Sequence, residues 1–240
     1  MKIQRVVIVI VSLFTASLAH AQYDWYGPPG MGPYFRAGIG PTIFQDSELK
    51  GYSFSSSPGV PGFTGPSGKV SYDVGFSFQG AFGWAFNRYV GLDFQTGYTW
   101  GRMKSVENYS QDGSTMANVP FLGNLTLSLP IPHTNIVPYI GGGVGGADSM
   151  LDAHDFYPSA AGPGAGNINE IFGSEDDVVF AWQVFAGVRF KLDPNISIGV
   201  GYDFFATGNP TFSYPPSPNL NAEFQGVRTH SIMFTFQANF

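Results

Sequence analysis

Apolar residues recur at every second position through most of this chain, in runs longer than the five or six residues of an ordinary strand. The clearest run is 70–86, where Val70, Tyr72, Val74, Phe76, Phe78, Phe82, Trp84 and Phe86 share one parity. Ser71, Asp73, Gly75, Ser77, Gln79, Ala81 and Gly83 take the other. Segment 90–101 repeats the pattern, with Val90, Leu92, Phe94, Thr96, Tyr98 and Trp100 against Gly91, Asp93, Gln95, Gly97, Thr99 and Gly101. Six further segments alternate in the same way, at 35–44, 118–129, 136–146, 178–190, 196–204 and 230–240. The pattern therefore predicts eight strands. Short connectors sit at Asn87 and Arg88, at 131–135 and at 191–195, while long ones run through 45–69, 102–117, 147–177 and 205–229.

The chemistry of the two parities decides the architecture. A soluble sandwich turns one face of each sheet to water and charges it. Here the bulky parity carries Phe, Trp, Tyr and Leu, and the other carries Gly, Ser, Gln and Asp. Eight strands closed on themselves leave room only for a filled interior, so the greasy side must face outward. Closure also leaves no backbone edge unsatisfied in lipid. The predicted fold is all-β: an eight-stranded transmembrane antiparallel up-and-down β-barrel, with tight turns and both termini at one end and long loops at the other. Trp84, Phe86, Tyr89, Phe190 and Phe240 cluster toward the tight end, and Tyr98, Trp100 and Tyr202 toward the other, as two aromatic girdles.

Composition agrees with a chain that avoids a watery surface. Only 12% of the 240 residues are charged, where a globular chain carries about 25%. There is no cysteine, which excludes disulfides, thiolate metal sites and thiol nucleophiles. A net charge of −6 argues against a nucleic-acid partner. At the N-terminus, Lys2 and Arg5 precede an apolar run over 6–19 that closes with Ala19, His20 and Ala21. At 1.5 Å per residue that run reaches about 21 Å, short of a hydrocarbon core of about 30 Å. It reads as a signal peptide (1–21) cleaved after Ala21. A short periplasmic lead (22–33) and the barrel (34–240) then follow, with the barrel's home in the bacterial outer membrane.

Stretches 34–40, 138–146, 182–190 and 231–240 resemble the eight-stranded outer-membrane β-barrel family that includes opacity-type surface proteins, OmpX and the membrane domain of OmpA. In such barrels a terminal Phe with alternating apolar residues before it is the signal read by the insertion machinery. The resemblance assigns that role to Ile232, Phe234, Phe236 and Phe240. The implied partners are outer-membrane lipid, that machinery, and an extracellular ligand or host surface met by the loops. No periplasmic peptidoglycan-binding domain is expected after Phe240, so the resemblance brings no anchoring role.

The remaining candidate chemistry is thin. Parity turns Arg36, Asp73, Gln79, Asp93, Gln95, Asn124, Gln183, Arg189 and Asp203 into the barrel, where they should pair as a polar network. That network reads as a structural plug or, alternatively, as the lining of a narrow pore for ions or small solutes. Gly141, Gly143 and Gly146 satisfy G-x-G-x-x-G, yet no helix follows to hold a pyrophosphate, and no cofactor is expected. Loop 147–177 holds seven carboxylates but no calcium-loop spacing, and no metal is expected. With His133 in a turn, His154 in a loop and His230 on the lipid parity, no triad forms, and no enzymatic activity is expected. The expected function is structural or adhesive, carried by the long loops.

Overall fold

The computed structural model describes residues 31–54, 63–64, 67–110, 113–153, 157–158, 174–213 and 220–240. The expected signal peptide and most of the lead lie outside these residues. The strands are β1 (Gly32–Phe44), β2 (Ser47–Phe54), β3 (Phe63–Thr64), β4 (Gly68–Tyr72), β5 (Gly75–Ala85), β6 (Val90–Val106), β7 (Tyr109–Ser110) and β8 (Thr115–Ser128). They continue with β9 (Ile136–Asp152), β10 (Tyr157–Pro158), β11 (Ser174–Lys191), β12 (Ile196–Thr207), β13 (Thr211–Ser213), β14 (Leu220–Phe224) and β15 (Arg228–Asn239). Eight of them form the wall. Antiparallel pairing runs β1, β5, β6, β8, β9, β11, β12, β15, and closes when β15 returns to β1 with Tyr34 opposite Asn239. This is a closed eight-stranded antiparallel barrel.

Tight turns at one end follow from local chemistry. Asn87 Oδ1 accepts the amides of Tyr89 (2.7 Å) and Val90 (2.9 Å), and Asp193 Oδ1 accepts those of Asn195 and Ile196 (both 2.7 Å). Such side-chain caps replace the ladder bonds that a reversing chain loses. His133 in the remaining turn takes a left-handed conformation, φ 60°.

Burial alternates along the wall as a lipid-facing barrel requires. Phe234 is 60% exposed and Phe94 57%, while Gln95 is 2% exposed. The outer face is thus the apolar one and the inner face the polar one, the reverse of a soluble sandwich.

Beyond the membrane band the chemistry inverts. On β6 the outward residues change from Trp100 to Arg102 and Lys104, and the inward one becomes Met103, which is buried. Met116 on β8 and Leu151 on β9 also point inward and are buried. With water outside, apolar side chains gain by turning in. They join Phe44, Leu49, Val70, Val106, Ala153, Phe212, Ala222, Phe224 and Val227 in one core that fills the long-loop end. Phe212 and Phe224 meet edge to face at 5.6 Å.

Two expectations change accordingly. Much of the long connectors is wall: β6 runs to Val106, β8 starts at Thr115, β9 reaches Asp152 and β11 starts at Ser174. Strands β2, β4, β13 and β14 extend the sheet further, β14 pairing with β2, β2 with β4, and β4 with β6. Segment 70–86 is also not one strand. It breaks at Asp73 and Val74, and the register with β6 shifts between Ser71 and Tyr72. That bulge rotates the chain, so Val70 is buried in the core although it shares the parity of the lipid-facing Phe76. Asp73 is exposed, with its amide bonded to the Arg102 carbonyl (2.9 Å), and is not an interior residue.

Candidate functional site

The interior is a stack of side chains whose order follows from strand register. At the tight-turn end, the Arg189 guanidinium lies over the Tyr139 ring at 4.9 Å and donates to Gln237 Oε1 and Ser128 Oγ. Above it, Asp93 accepts from Tyr34 Oη (2.6 Å), Arg36 Nη2 (3.2 Å) and Asn124 Nδ2 (2.8 Å). Arg36 also stands over the Phe185 ring at 5.1 Å. A layer of amides follows. Gln95 Nε2 donates to Gln79 Oε1 (2.6 Å), Gln183 Nε2 donates to Asn124 Oδ1 (2.7 Å), and Gln79 Nε2 donates to Asp203 Oδ2 (3.0 Å).

The next layer is made of hydroxyls. Thr42 donates to Ser77 and Ser77 to Thr99, both at 2.8 Å, and Thr42 meets Ser231 at 2.7 Å. Leu122, Ala147, Ala181 and Phe205 form a small buried apolar cluster, and the core of the long-loop end lies beyond.

Eight of the nine residues expected inside are therefore at the inner face, and Asp73 is the exception. Arg36, Asp93, Gln95, Asn124, Gln183 and Asp203 are buried, and Gln79 and Arg189 are half-buried. Asp93 and Arg36 form an ion pair whose side chains are 0% and 7% exposed. A pair so shielded persists only because each charge has hydrogen-bond partners besides the other. Tyr34 and Phe185 were not singled out from the sequence, although parity alone puts them inside. The signal was a ring on an otherwise small and polar face.

Glycines make space for this packing. A Cβ on Gly143 would sit 1.9 Å from Asn124 Oδ1, and one on Gly141 would sit 2.4 Å from the Phe185 ring. The run 141–146 lies within β9, paired on both sides, and serves as wall.

On the outer face, Trp84, Phe86, Tyr89, Phe190 and Phe240 are exposed toward the tight-turn end, as are Trp100 and Tyr202 toward the other, while Tyr98 is half-buried. Ile232, Phe234 and Phe236 are exposed as well. His230 joins the upper girdle, with Gln45 Nε2 2.6 Å from its Nε2 and the Tyr202 hydroxyl against its Nδ1.

Electrostatics in the sheet extension are local. Lys69 pairs with Asp46 at 2.8 Å and holds that carboxyl below the usual range. Lys50 does the same to Glu223 at 2.6 Å. Tyr72, bonded to Ser47 Oγ at 2.8 Å and packed on Phe44 at 5.2 Å, has its phenol pushed up to about 12 by burial. Among the described residues, no cluster of His, Asp and Glu is arranged to hold a metal ion.

A family model described as outer membrane protein beta-barrel domain matches residues 6–240. The fold is similar to the solved outer membrane protein OprG from Pseudomonas aeruginosa, with a TM-score of 0.57 at 12% identity, covering 88% of this chain and 98% of that one. It also matches the Neisserial surface protein A structure, with a TM-score of 0.45 at 15% identity, covering 87% of this chain and 97% of that one. No curated protein sequence matches significantly.

Proposed function

The chain belongs to the outer-membrane β-barrel family, which implies the bacterial outer membrane, and on that premise we propose a sealed barrel with a structural or surface-interaction role. The observation that carries this reading is the apolar core at the long-loop end. Leu49, Val70, Met116, Phe212 and Phe224 are each 0% exposed there, directly beyond the Leu122 and Phe205 cluster. A continuous solute path needs polar walls and water along its whole length, and a close-packed apolar layer holds neither. On this reading the polar network below is structural, the seal is that core, and the pore alternative is disfavoured.

The same core supports the surface role. It makes the extension beyond the membrane a stiff sheet, which gives the remaining loops a fixed base from which to meet a partner. The reading is non-enzymatic. Among the described histidines, His133 lies in a tight turn and His230 on the outer girdle. Export through a signal peptide cleaved after Ala21 belongs to the same proposal, and the mass of protein purified from outer membranes tests it.

Single-channel recording of the refolded mature chain in a planar bilayer tests the sealed reading, with a heat-shifted gel band to confirm closure. Silence is expected. Reproducible conductance steps that change when Arg36 or Asp93 is neutralised would overturn it in favour of a pore.

A further inference from the structure

The tight-turn end of the barrel carries an inward cation with no ion-pair partner among the described residues. Arg36 has Asp93 as its partner at 3.2 Å. Asp203 is engaged by Gln79. Arg189 forms no ion pair among the described residues, and its bonds go to the neutral Gln237 and Ser128 and to the face of Tyr139. A guanidinium has five donors. Its Nε is buried with no hydrogen-bond partner.

Arg189 also lines a cavity of about 70 Å³ at this mouth, together with Lys191, Arg88 and Asp193. Three cations thus border the recess with one carboxylate, the Arg88 guanidinium lying over the Tyr89 ring at 4.8 Å, and the Oδ1 of that carboxylate already caps its own turn by accepting the amides of Asn195 and Ile196. Positive charge in a partly enclosed, low-dielectric recess attracts anions more strongly than the same charge on an open surface. The volume is several times the ~15 Å³ that one water needs, which leaves room for a carboxylate or phosphate group.

We infer that the tight-turn mouth of the barrel is a binding site for a small oxyanion, a carboxylate or a phosphate group. Arg189 supplies the half-buried charge, and Lys191 and Arg88 supply the rim. Arginine suits such a site because its planar donors match two oxygens at once. With the orientation usual for outer-membrane barrels, short turns inside, the site opens to the periplasm. The inference is independent of whether the barrel is sealed at its far end.

Side-chain Nε–Hε NMR of the refolded mature chain in micelles tests it, with inorganic phosphate and acetate titrated separately and chloride matched for ionic strength. The Arg189 resonance should shift saturably with at least one oxyanion and not with chloride. Saturation by phosphate alone or by acetate alone identifies which of the two chemistries the site takes. Lys191→Gln and Arg88→Gln, both at the open rim, should each weaken binding roughly three-fold or more while the heat-shifted band persists. Equal, unsaturated shifts in all three salts would overturn the assignment, as would binding indifferent to both rim substitutions.

Discussion

Tyr34 donates its phenol hydrogen to Asp93 Oδ2 across 2.6 Å, while Arg36 reaches the other oxygen of the same carboxylate at 3.2 Å. One anion on β6 is thus held by two residues of β1, a strand with which β6 does not pair directly, and Asn124 of β8 adds a third bond at 2.8 Å. The contact spans β5 and ties next-but-one strands of the wall together through their inward side chains.

Asp93→Ala should therefore destabilise the barrel by about 3 to 5 kcal/mol, the usual consequence of stranding a buried partner charge. Removing Arg36 as well, as Arg36→Met with Asp93→Leu, should recover much of that loss. Urea unfolding in micelles, followed by tryptophan fluorescence and the gel shift, measures both. A double variant no more stable than the single one would show that the pair is not the tie.

The change from Trp100 to Arg102 and Lys104 along the outward parity of β6 marks an edge between lipid and water. Phe94→Lys puts a charge into the hydrocarbon band and should cost about 2 to 4 kcal/mol. Lys104→Phe, only a few residues along the same strand face, should leave folding unchanged. Similar costs at both positions would mean that the edge is drawn in the wrong place.

That edge also explains which parts of the fold were legible in the sequence. The eight wall strands showed themselves because lipid demands one unbroken apolar parity, as from Val90 to Trp100. Past Trp100 the apolar residue moves to the opposite parity, at Met103, and a search for one continuous greasy face ends there and reads a loop. Val70 and Tyr72 misled in another way. They continue the parity of Phe76 and Phe78 in sequence, but the bulge beside Ser71 turns them inward and leaves Asp73 in water. The interior network was legible wherever no bulge intervened. Its partners were not, because parity assigns Arg36 and Asp93 to one lumen without saying that Tyr34 completes the contact.

Tyr72 offers a test of the extension alone. Burial holds its phenol neutral up to about 12, against an ordinary 10. A raised folded-state value favours the protonated form, so its contribution to stability is complete below pH 10 and is lost as pH climbs from there toward 12. Tyrosinate absorbance of wild type against Tyr72→Phe should isolate one late-titrating phenol, and Tyr72→Phe should flatten the alkaline loss of stability. A difference spectrum that titrates like a free tyrosine would show the phenol to be exposed.

The apolar core at the long-loop end is a second stabilising unit stacked on the membrane barrel, and the two should separate. Phe224 is fully buried against Phe212, and Phe224→Ala should cost about 3 to 5 kcal/mol where it is felt. It should be felt in the extension, because the wall below keeps its own ladder from β15 back to β1. Limited proteolysis of the variant should then cut within β2, β13 or β14 while the heat-shifted band survives. Conductance recorded on the same sample connects that stability to function. If the core is the seal, loosening it should let current appear where wild type is silent, carried through the polar layers around Gln95 and Gln183. A variant that is cut in the extension yet stays silent would move the seal down to Leu122 and Phe205, and Phe205→Ala would then be the substitution that opens the barrel.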